Sequence, residues 1–163
     1  GMKVIARFEK VSEGRYAQDV ALFSNPLPLE TLPLPRRATH GSAGYDLASP
    51  VRVTLLPGQQ VMIPTGMRVL MQPGWVLMIY PRSSLGRKYG LRLANTTGVI
   101  DADYAQTENE GHILVPIVNG GTETVTLEAG ERFCQGVLLP FGLAEEETPT
   151  QKRRGGFGST GNK

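Results

Sequence analysis

Short runs of β-forming residues, each closed by Gly or Pro, limit most narrowly how this chain can fold. Pro57-Gly58, Pro73-Gly74 and Asn119-Gly120-Gly121 supply the fixed and positive φ values that tight reversals require. The pattern predicts an all-β sandwich or barrel. The runs after Gly44 are seven in number and span residues 51–56, 61–63, 67–71, 75–80, 113–118, 122–127 and 132–139.

Helix is expected to be scarce. The best candidate covers residues 83–89, where Ser83 or Ser84 caps a short turn of helix that stops at Gly90. A strand is expected over residues 3–8. Four prolines between residues 25 and 35 exclude a helix there, because Pro removes a backbone donor and clashes with the preceding turn.

Length and composition narrow the class of protein. The chain has 163 residues, enough for one domain with a sizeable core. Cys134 is the single cysteine, so it has no partner within its own chain, and with only His40 and His112 beside it a zinc finger is excluded. Cys134 is expected to be a small buried apolar group, and each histidine a surface or capping residue. This cysteine usage predicts a reducing, cytoplasmic location.

The charge balance argues against two classes of partner. With 17 basic and 15 acidic residues the net charge is +2, which is too balanced for bulk nucleic-acid binding. No apolar run approaches the length of a membrane span, and no signal peptide is visible. We therefore expect no nucleic-acid and no membrane partner.

The sequence predicts one large domain followed by a short C-terminal segment. A single β domain is expected over residues 1–143, with an N-terminal extension over residues 1–40. Residues 144–163 read as an acidic linker and a Gly-rich C-terminal arm, which is expected to be mobile.

The arm carries a glycine pattern that invites a dinucleotide interpretation. Residues 156–161 match G-x-G-x-x-G, but only two residues follow, so the required helix and acidic residue are absent. Exposed N–H groups and hydroxyls, preceded by Lys152, Arg153 and Arg154, suit a polyphosphate instead. A disordered solubilising tail is the alternative, against which the aromatic Phe157 argues.

Three further segments carry polar groups, each with a plain alternative. Arg82 and the serines after it form either an anion cradle at a helix start or an ordinary cap with a surface arginine. Asp101 and Asp103 are expected to project to the same side of an extended segment, where they shift a pKa or attract a cation, unless they form a charged β-turn. Gln135 lies in a strand expected to be buried, where a core or interface glutamine is the default.

In this order, five segments resemble the five motifs of the homotrimeric dUTP diphosphatases (dUTPases), including Gram-positive and phage members. The resemblance implies a distorted jelly roll, a β-clip type barrel with a mobile C-terminal arm. It also implies a homotrimer with shared active sites and Mg²⁺-dependent hydrolysis of dUTP to dUMP and pyrophosphate. Such activity keeps uracil out of DNA and supplies dUMP for thymidylate synthesis. The segments are Ala43-Gly44-Tyr45-Asp46-Leu47, residues 81–86, residues 98–104, Gln135 and residues 155–161.

The resemblance also implies roles in catalysis and phosphate binding. Asp46 is similar to the carboxylate oriented toward the waters of the Mg²⁺ ion, and Asp101 to the group that orients and deprotonates the water attacking the α-phosphorus. The implied phosphate ligands are Arg82, Ser83, Ser84 and Gln135.

Base and sugar recognition are implied for the hairpin after residue 94. Its backbone, with Asn95, Gly98 and Ile100, resembles the element that reads uracil, and Tyr104 the residue that packs under the deoxyribose and excludes a 2′-hydroxyl. In the arm, Phe157 is implied to cover the base while Ser159 and Thr160 contact the γ-phosphate. The remaining ligands implied in the arm are Arg153 and Gly158.

The chain departs from the family pattern at two places. Residues 105–112 are longer than the usual link after the tyrosine, and their role is open. The cation of the fifth motif is Lys152, Arg153 or Arg154, and Arg153 is favoured.

Two alternative functions remain to be weighed. A dCTP deaminase of the same fold needs a catalytic glutamate where this chain has Pro116. A regulatory, protein-binding module on the same scaffold would use the longer loop near Glu108 and Glu110. The presence of both Asp46 and Asp101 favours the hydrolase.

Overall fold

The structure is a computed structural model that describes residues 2–145, and within them it is built mainly of strands. The all-β prediction is confirmed. Two short α-helices, α1 (Glu13–Asp19) and α2 (Ser83–Tyr89), and 3₁₀ turns over Leu29–Thr31 and Ala102–Gln106 complete the secondary structure of this range. The strands are β1 (Ala6–Lys10), β2 (Arg36–Arg37), β3 (Tyr45–Ala48), β4 (Val53–Leu55), β5 (Gln60–Pro64), β6 (Met67–Met71), β7 (Trp75–Pro81), β8 (Leu91–Leu93), β9 (Gly98–Ile100), β10 (Leu114–Asn119), β11 (Val125–Leu127) and β12 (Arg132–Pro140).

The strands pair antiparallel in four sheets. The largest has the order β2-β3-β12-β7-β9, and the others are β5-β10-β8, β1-β6 and β11-β4. Strands distant in sequence, such as β3 and β12, are therefore neighbours in space. This non-sequential order is typical of a distorted jelly roll.

Alternating burial explains how the sheets enclose one core. In β10 the side chains of Val115, Ile117 and Asn119 are buried while those between them are partly exposed. Because successive side chains of a strand point to opposite faces, one face of β10 packs inward. Ile63 and Phe133 are fully buried in the same core, and each such side chain contributes about 1.5–3 kcal/mol by leaving water.

The predicted turns form by two different means. Gly58 and Gly74 have φ of +83° and +90°, so both Pro-Gly turns are confirmed. Neither Gly120 nor Gly121 has a positive φ, contrary to the expectation for that turn. There the buried Asn119 side chain holds the chain, because its amide donates to the carbonyls of Leu55 and Glu123.

The sequence predicted one of the two helices and missed the other. Helix α2 has the predicted bounds and ends at Gly90, whose φ is +69°. The predicted serine cap is wrong: the capping position is Arg82, and no side chain caps the helix. Helix α1, which the sequence did not predict, begins after Ser12, whose hydroxyl accepts a hydrogen bond from the Arg15 amide. Neither helix is long and apolar enough to cross a membrane.

Several boundaries differ from expectation. The first strand begins three residues later than predicted, at Ala6. The short strands β2, β3, β8 and β9 were not predicted, because two to four residues carry too little periodicity to register. The expected domain boundary at residue 143 stays a prediction, and the arm from residue 146 onward lies outside the described residues.

Candidate active site

Three predicted site residues meet on the largest sheet. The strand register aligns Asp46 on β3 with Gln135 on β12, and Gln135 with Tyr80 on β7. Arg82 follows the end of β7, and its Nε lies 3.3 Å from Oδ1 of Asp46. The carboxylate of Asp46 has a second basic neighbour, Arg132, whose Nη1 lies 3.9 Å from Oδ2. The side chain of Asp46 is 11% exposed, so a half-enclosed cluster of one anion and two cations forms here.

Gly44 is part of this cluster, although sequence reasoning gave it no role. A Cβ at this position would lie 2.0 Å from Oε1 of Gln135, so no other residue leaves the glutamine in place. The amide of Gln135 donates to the carbonyl of Pro81 at 3.2 Å. The signal available in the sequence was the glycine two residues before Asp46.

Ser83 and Ser84 open helix α2 immediately after Arg82. Neither hydroxyl makes a hydrogen bond within residues 2–145, which leaves both available to a ligand. Leu85 is buried and anchors the helix against the core. The cluster of Asp46, Arg82 and Gln135 therefore continues into two unbonded hydroxyls.

The segment predicted to be a hairpin is the connection between β8 and β9, which is held against β7. It is not a paired hairpin, because β8 pairs with β10 and β9 pairs with β7 in a different sheet. Thr96 adopts a φ of +69°, and the Thr97 hydroxyl donates to the carbonyl of Ile79 at 2.8 Å. A Cβ on Gly98 would lie 3.2 Å from Cβ of Ile79, so glycine allows this close approach. The Ile100 side chain is buried in the core, so only its backbone is placed to contact a ligand.

The segment after β9 differs from the extended geometry expected for Asp101 and Asp103. Asp101 is the residue that precedes the 3₁₀ turn Ala102–Gln106, and Asp103 lies inside that turn. The two carboxylates therefore do not alternate as in a strand, and the prediction that they share one side for that reason is wrong.

Tyr104, in the same turn, is enclosed by its own chain. The residue is 3% exposed. The hydroxyl donates to the carbonyl of His112 at 2.6 Å and accepts from Nδ2 of Asn109 at 3.0 Å. The hydroxyl end of the side chain is thereby fixed by two hydrogen bonds.

Asp101 and Asp46 lie far apart within one chain. Asp46 lies in the register row of Tyr80 on β7, whereas Ile100, next to Asp101, pairs with Leu77, three residues further along β7. In the sheet order, β9 is also three strands away from β3. With a rise of about 3.3 Å per residue and a strand spacing of about 4.8 Å, this register separates the two backbones by roughly 20 Å. A single chain does not bring the two carboxylates into one site.

The side chains near Asp46 fit a metal ion that takes most of its ligands from water and substrate. Among residues 2–145 no group of three or more His, Cys, Asp or Glu side chains is placed to hold a metal ion. Mg²⁺ is commonly bound through one or two carboxylates, several waters and the phosphates of a substrate. The single carboxylate of Asp46 beside the phosphate-binding candidates fits that mode.

His112 is not the surface or capping residue that the sequence suggested. Its ring is fully buried, and Nε2 accepts a hydrogen bond from the Gly66 amide at 2.8 Å. Since an amide only donates here, the ring proton resides on Nδ1, which lies 2.6 Å from Oδ2 of Asp19. Burial lowers the pKa of His112 and keeps the ring neutral. His40 is exposed, as expected.

Cys134 is fully buried, as predicted, and burial raises the pKa of its thiol. Both properties oppose a role as nucleophile. The candidates in the arm lie outside the described residues; they are Lys152, Arg153, Arg154, Phe157, Gly158, Ser159 and Thr160.

Comparison with known proteins identifies the family to which this chain is similar. A family model described as dUTPase matches residues 30–161. The deoxyuridine 5′-triphosphate nucleotidohydrolase of Lactococcus lactis subsp. lactis is 47% identical over 131 residues, covering 78% of this chain and 87% of the relative. The protein of the same name from Hahella chejuensis is 43% identical over 140 residues, covering 81% and 89%.

Solved structures agree. The dUTPase from Streptococcus mutans matches with a TM-score of 0.70 and 42% identity, covering 85% of this chain and 98% of that one. The dUTPase from phage phi11 of S. aureus matches with a TM-score of 0.67, covering 91% and 97%, and at 21% identity it shows likeness of fold.

Proposed function

The chain belongs to the dUTPase family, and from this premise we propose how its residues hydrolyse dUTP to dUMP and pyrophosphate. The observation that carries the proposal is the cluster of Asp46, Arg82 and Gln135, which three separate strand segments bring together. The family match supports the activity, and the cluster supports the assignment of residues.

Phosphate binding is assigned to the groups around Arg82. A nucleoside triphosphate brings about four negative charges into its pocket, which positively charged and hydrogen-bonding groups must balance. The guanidinium of Arg82 and the hydroxyls of Ser83 and Ser84 lie in sequence at the end of β7. Gln135 adds a side-chain amide from the neighbouring strand.

Mg²⁺ is the proposed cofactor, held by Asp46 through a water molecule. When bound, it neutralises charge on the phosphate oxygens and polarises them. Asp46 contributes the orienting carboxylate, and Arg82 stays close enough to pair with either Asp46 or a phosphate oxygen. Their separation of 3.3 Å in the structure supports such an exchange.

Asp101 is the proposed general base. It holds the attacking water in line with the α-phosphorus and takes its proton as the bond to the bridging oxygen breaks. Its backbone position roughly 20 Å from Asp46 supports a site completed by a second copy of the chain. We therefore propose a homotrimer with shared active sites.

Selectivity for uracil and deoxyribose is assigned to the segment from Asn95 to Tyr104. Backbone groups of Asn95, Gly98 and Ile100 read uracil as a base pair would, and cytosine, with the opposite donor pattern, leaves buried groups unpaired. Tyr104 packs under the deoxyribose and leaves no room for a 2′-hydroxyl. From the arm, Arg153 binds phosphate and Phe157 covers the base. The further arm ligands are Gly158, Ser159 and Thr160.

The proposal extends to the setting of the enzyme. We place it in the cytoplasm, without nucleic-acid or membrane partners, where it removes dUTP before DNA synthesis and supplies dUMP. The regulatory alternative would use the loop near Glu108 and Glu110. Both carboxylate oxygens of Glu110 accept hydrogen bonds from Ser12, at 2.8 and 2.6 Å, which weakens that alternative.

Release of pyrophosphate from dUTP, dCTP, dTTP and UTP, with Mg²⁺ and with a chelator, tests the activity. We expect turnover of dUTP alone, lost with the chelator and in Asp101→Asn. Asp103→Asn, a matched change two residues away, should retain most of the turnover. Equal use of UTP, or release of ammonia from dCTP, contradicts the proposal.

Mixing tests the shared site. If one site takes Asp46 from one copy and Asp101 from another, co-refolding Asp46→Asn with Asp101→Asn protein creates intact sites. About a quarter of all sites would then carry both carboxylates when copies mix at random. A mixture as inactive as its two components would show that both carboxylates act from the same chain.

A further inference from the structure

The N-terminal helix α1 and the loop of residues 105–112, here called the insert, are bound to each other. The Ser12 amide and hydroxyl donate to the carboxylate of Glu110, and these bonds lower the pKa of Glu110. The Asp19 carboxylate meets Nδ1 of His112 at 2.6 Å. Two consecutive turns of α1 therefore contact the last residues of the insert.

A second element, strand β6, also holds the insert. Arg68 on β6 donates from Nε to the carbonyl of Glu110 at 2.7 Å and from Nη2 to the carbonyl of Ala105 at 2.9 Å. Its Nη1 pairs with Glu9 on β1 at 2.6 Å. Both ends of the insert are thus tied to one guanidinium, which the N-terminal strand fixes in turn.

Residues of the insert hold Tyr104 in place by hydrogen bonds. The tyrosine hydroxyl is bound by the His112 carbonyl and the Asn109 amide, and the Thr107 hydroxyl donates to the Tyr104 carbonyl at 2.8 Å. A movement of His112 therefore reaches the tyrosine ring through one hydrogen bond. The ring of His112 is itself held at both nitrogens, by Gly66 and by Asp19.

Asp19 lies before residue 30, where the family match begins, and its contact is the one that reaches the His112 ring from α1. We propose that Asp19 is a positioning residue that sets the selectivity for deoxyribose over ribose, by fixing His112 and through it Tyr104. The inference rests on the proposed role of Tyr104 in excluding a 2′-hydroxyl. Asp19 touches no substrate, and its effect passes through the His112 ring and the His112 carbonyl.

Removal of the Asp19 carboxylate leaves the buried Nδ1–H of His112 without an acceptor. An unpaired buried donor costs about 1–3 kcal/mol, so the ring shifts to find another partner. The carbonyl that holds the Tyr104 hydroxyl belongs to the same residue. Selectivity that depends on excluding one hydroxyl group is sensitive to displacements of about 1 Å.

The experiment compares kcat/KM for dUTP and for UTP in Asp19→Ala, Asp19→Asn and Gln18→Ala proteins. In Asp19→Ala we expect the ratio of the two values to fall by about tenfold or more, since a misplacement of about 1 Å can cost about a hundredfold. Asp19→Asn keeps an oxygen acceptor for Nδ1–H and should restore the ratio. Gln18→Ala, an exposed change on the same helix, should leave it unchanged.

A purely structural role for Asp19 predicts a different result. Loss of folded protein lowers both kcat/KM values in proportion, so an unchanged ratio in Asp19→Ala overturns the inference. If Asp19→Ala does not fold, Asp19→Glu serves instead, because the longer side chain keeps a carboxylate but displaces it from its 2.6 Å contact with Nδ1 of His112. An unchanged ratio in Asp19→Glu then overturns the inference as well. A wild-type protein that turns over dUTP and UTP equally would contradict the proposed function together with it.

Discussion

Replacement of Gly111 by Ala tests the packing of the insert most directly. Gly111 is buried and has a φ of +72°, and a Cβ added there would lie 2.5 Å from Cα of Ala105. It would also lie 2.9 Å from the Ala105 nitrogen and from the Tyr104 carbonyl oxygen. All three neighbours are backbone atoms, which cannot rotate out of the way as a side chain can.

The expected cost has two parts. A residue with a Cβ in the left-handed region costs about 1–2 kcal/mol relative to glycine. A normal carbon–carbon contact is about 3.5–4.0 Å, so the Ala105 backbone must retreat by about 1 Å. Its carbonyl, 2.9 Å from Nη2 of Arg68, then loses a hydrogen bond to a charged group, worth about 1.5–3 kcal/mol. We expect Gly111→Ala to lower the free energy of unfolding by about 3 kcal/mol or more.

Gly58→Ala is the matched control. Gly58 has a φ of +83°, and a Cβ there would meet nothing within 4 Å. This variant therefore carries the backbone strain without the steric contact, and it should cost about 1–2 kcal/mol. Urea unfolding of both variants and the wild type, at one protein concentration because association contributes to stability, gives the difference. Equal destabilisation by the two variants would refute the reasoning from close packing.

Three further outcomes are expected. Burial lowers the pKa of His112, so the unfolded chain binds the proton more tightly. Stability is then complete above the unfolded pKa of about 6.5 and is lost as the pH falls through the folded pKa, by at most about 1.4 kcal/mol per pH unit. Below pH 6.5, the free energy of unfolding measured with urea should depend less steeply on pH in His112→Gln than in the wild type. An identical pH dependence of the two proteins would contradict this. Gly44→Ala should displace Gln135, whose Oε1 would lie 2.0 Å from the new Cβ, and lower pyrophosphate release by about tenfold or more with little change in melting temperature. Gly41→Ala, with nothing within 4 Å of its Cβ, should retain wild-type turnover. An equal loss of turnover in Gly44→Ala and Gly41→Ala would contradict the role of the Gly44–Gln135 contact. Cys134, fully buried with a raised pKa, should react with a thiol reagent only after unfolding, which absorbance of the released chromophore measures; rapid labelling of native protein would argue otherwise.

The sequence by itself determined the elements that depend on local chemistry. Each of the seven predicted runs overlaps a strand of the structure, because β-forming residues between Pro and Gly have few other conformations available. The end of α2 at Gly90 was predictable for the same reason, since glycine adopts a positive φ without steric cost. The motif residues were also identified from the sequence, as a family pattern and without their contacts.

Tertiary structure alone decided which of these residues meet. Asp46 and Gln135 are distant in the chain and become neighbours only through the pairing of β3 with β12, while Asp46 and Asp101 are separated by the same register. The burial of His112 and its bond to Asp19 likewise depend on how α1 packs. Sequence patterns report backbone preferences over a few residues, whereas sheet order and long-range packing are set by the burial of the whole core. For that reason the strands could be predicted one at a time, and the assembly of the site could not.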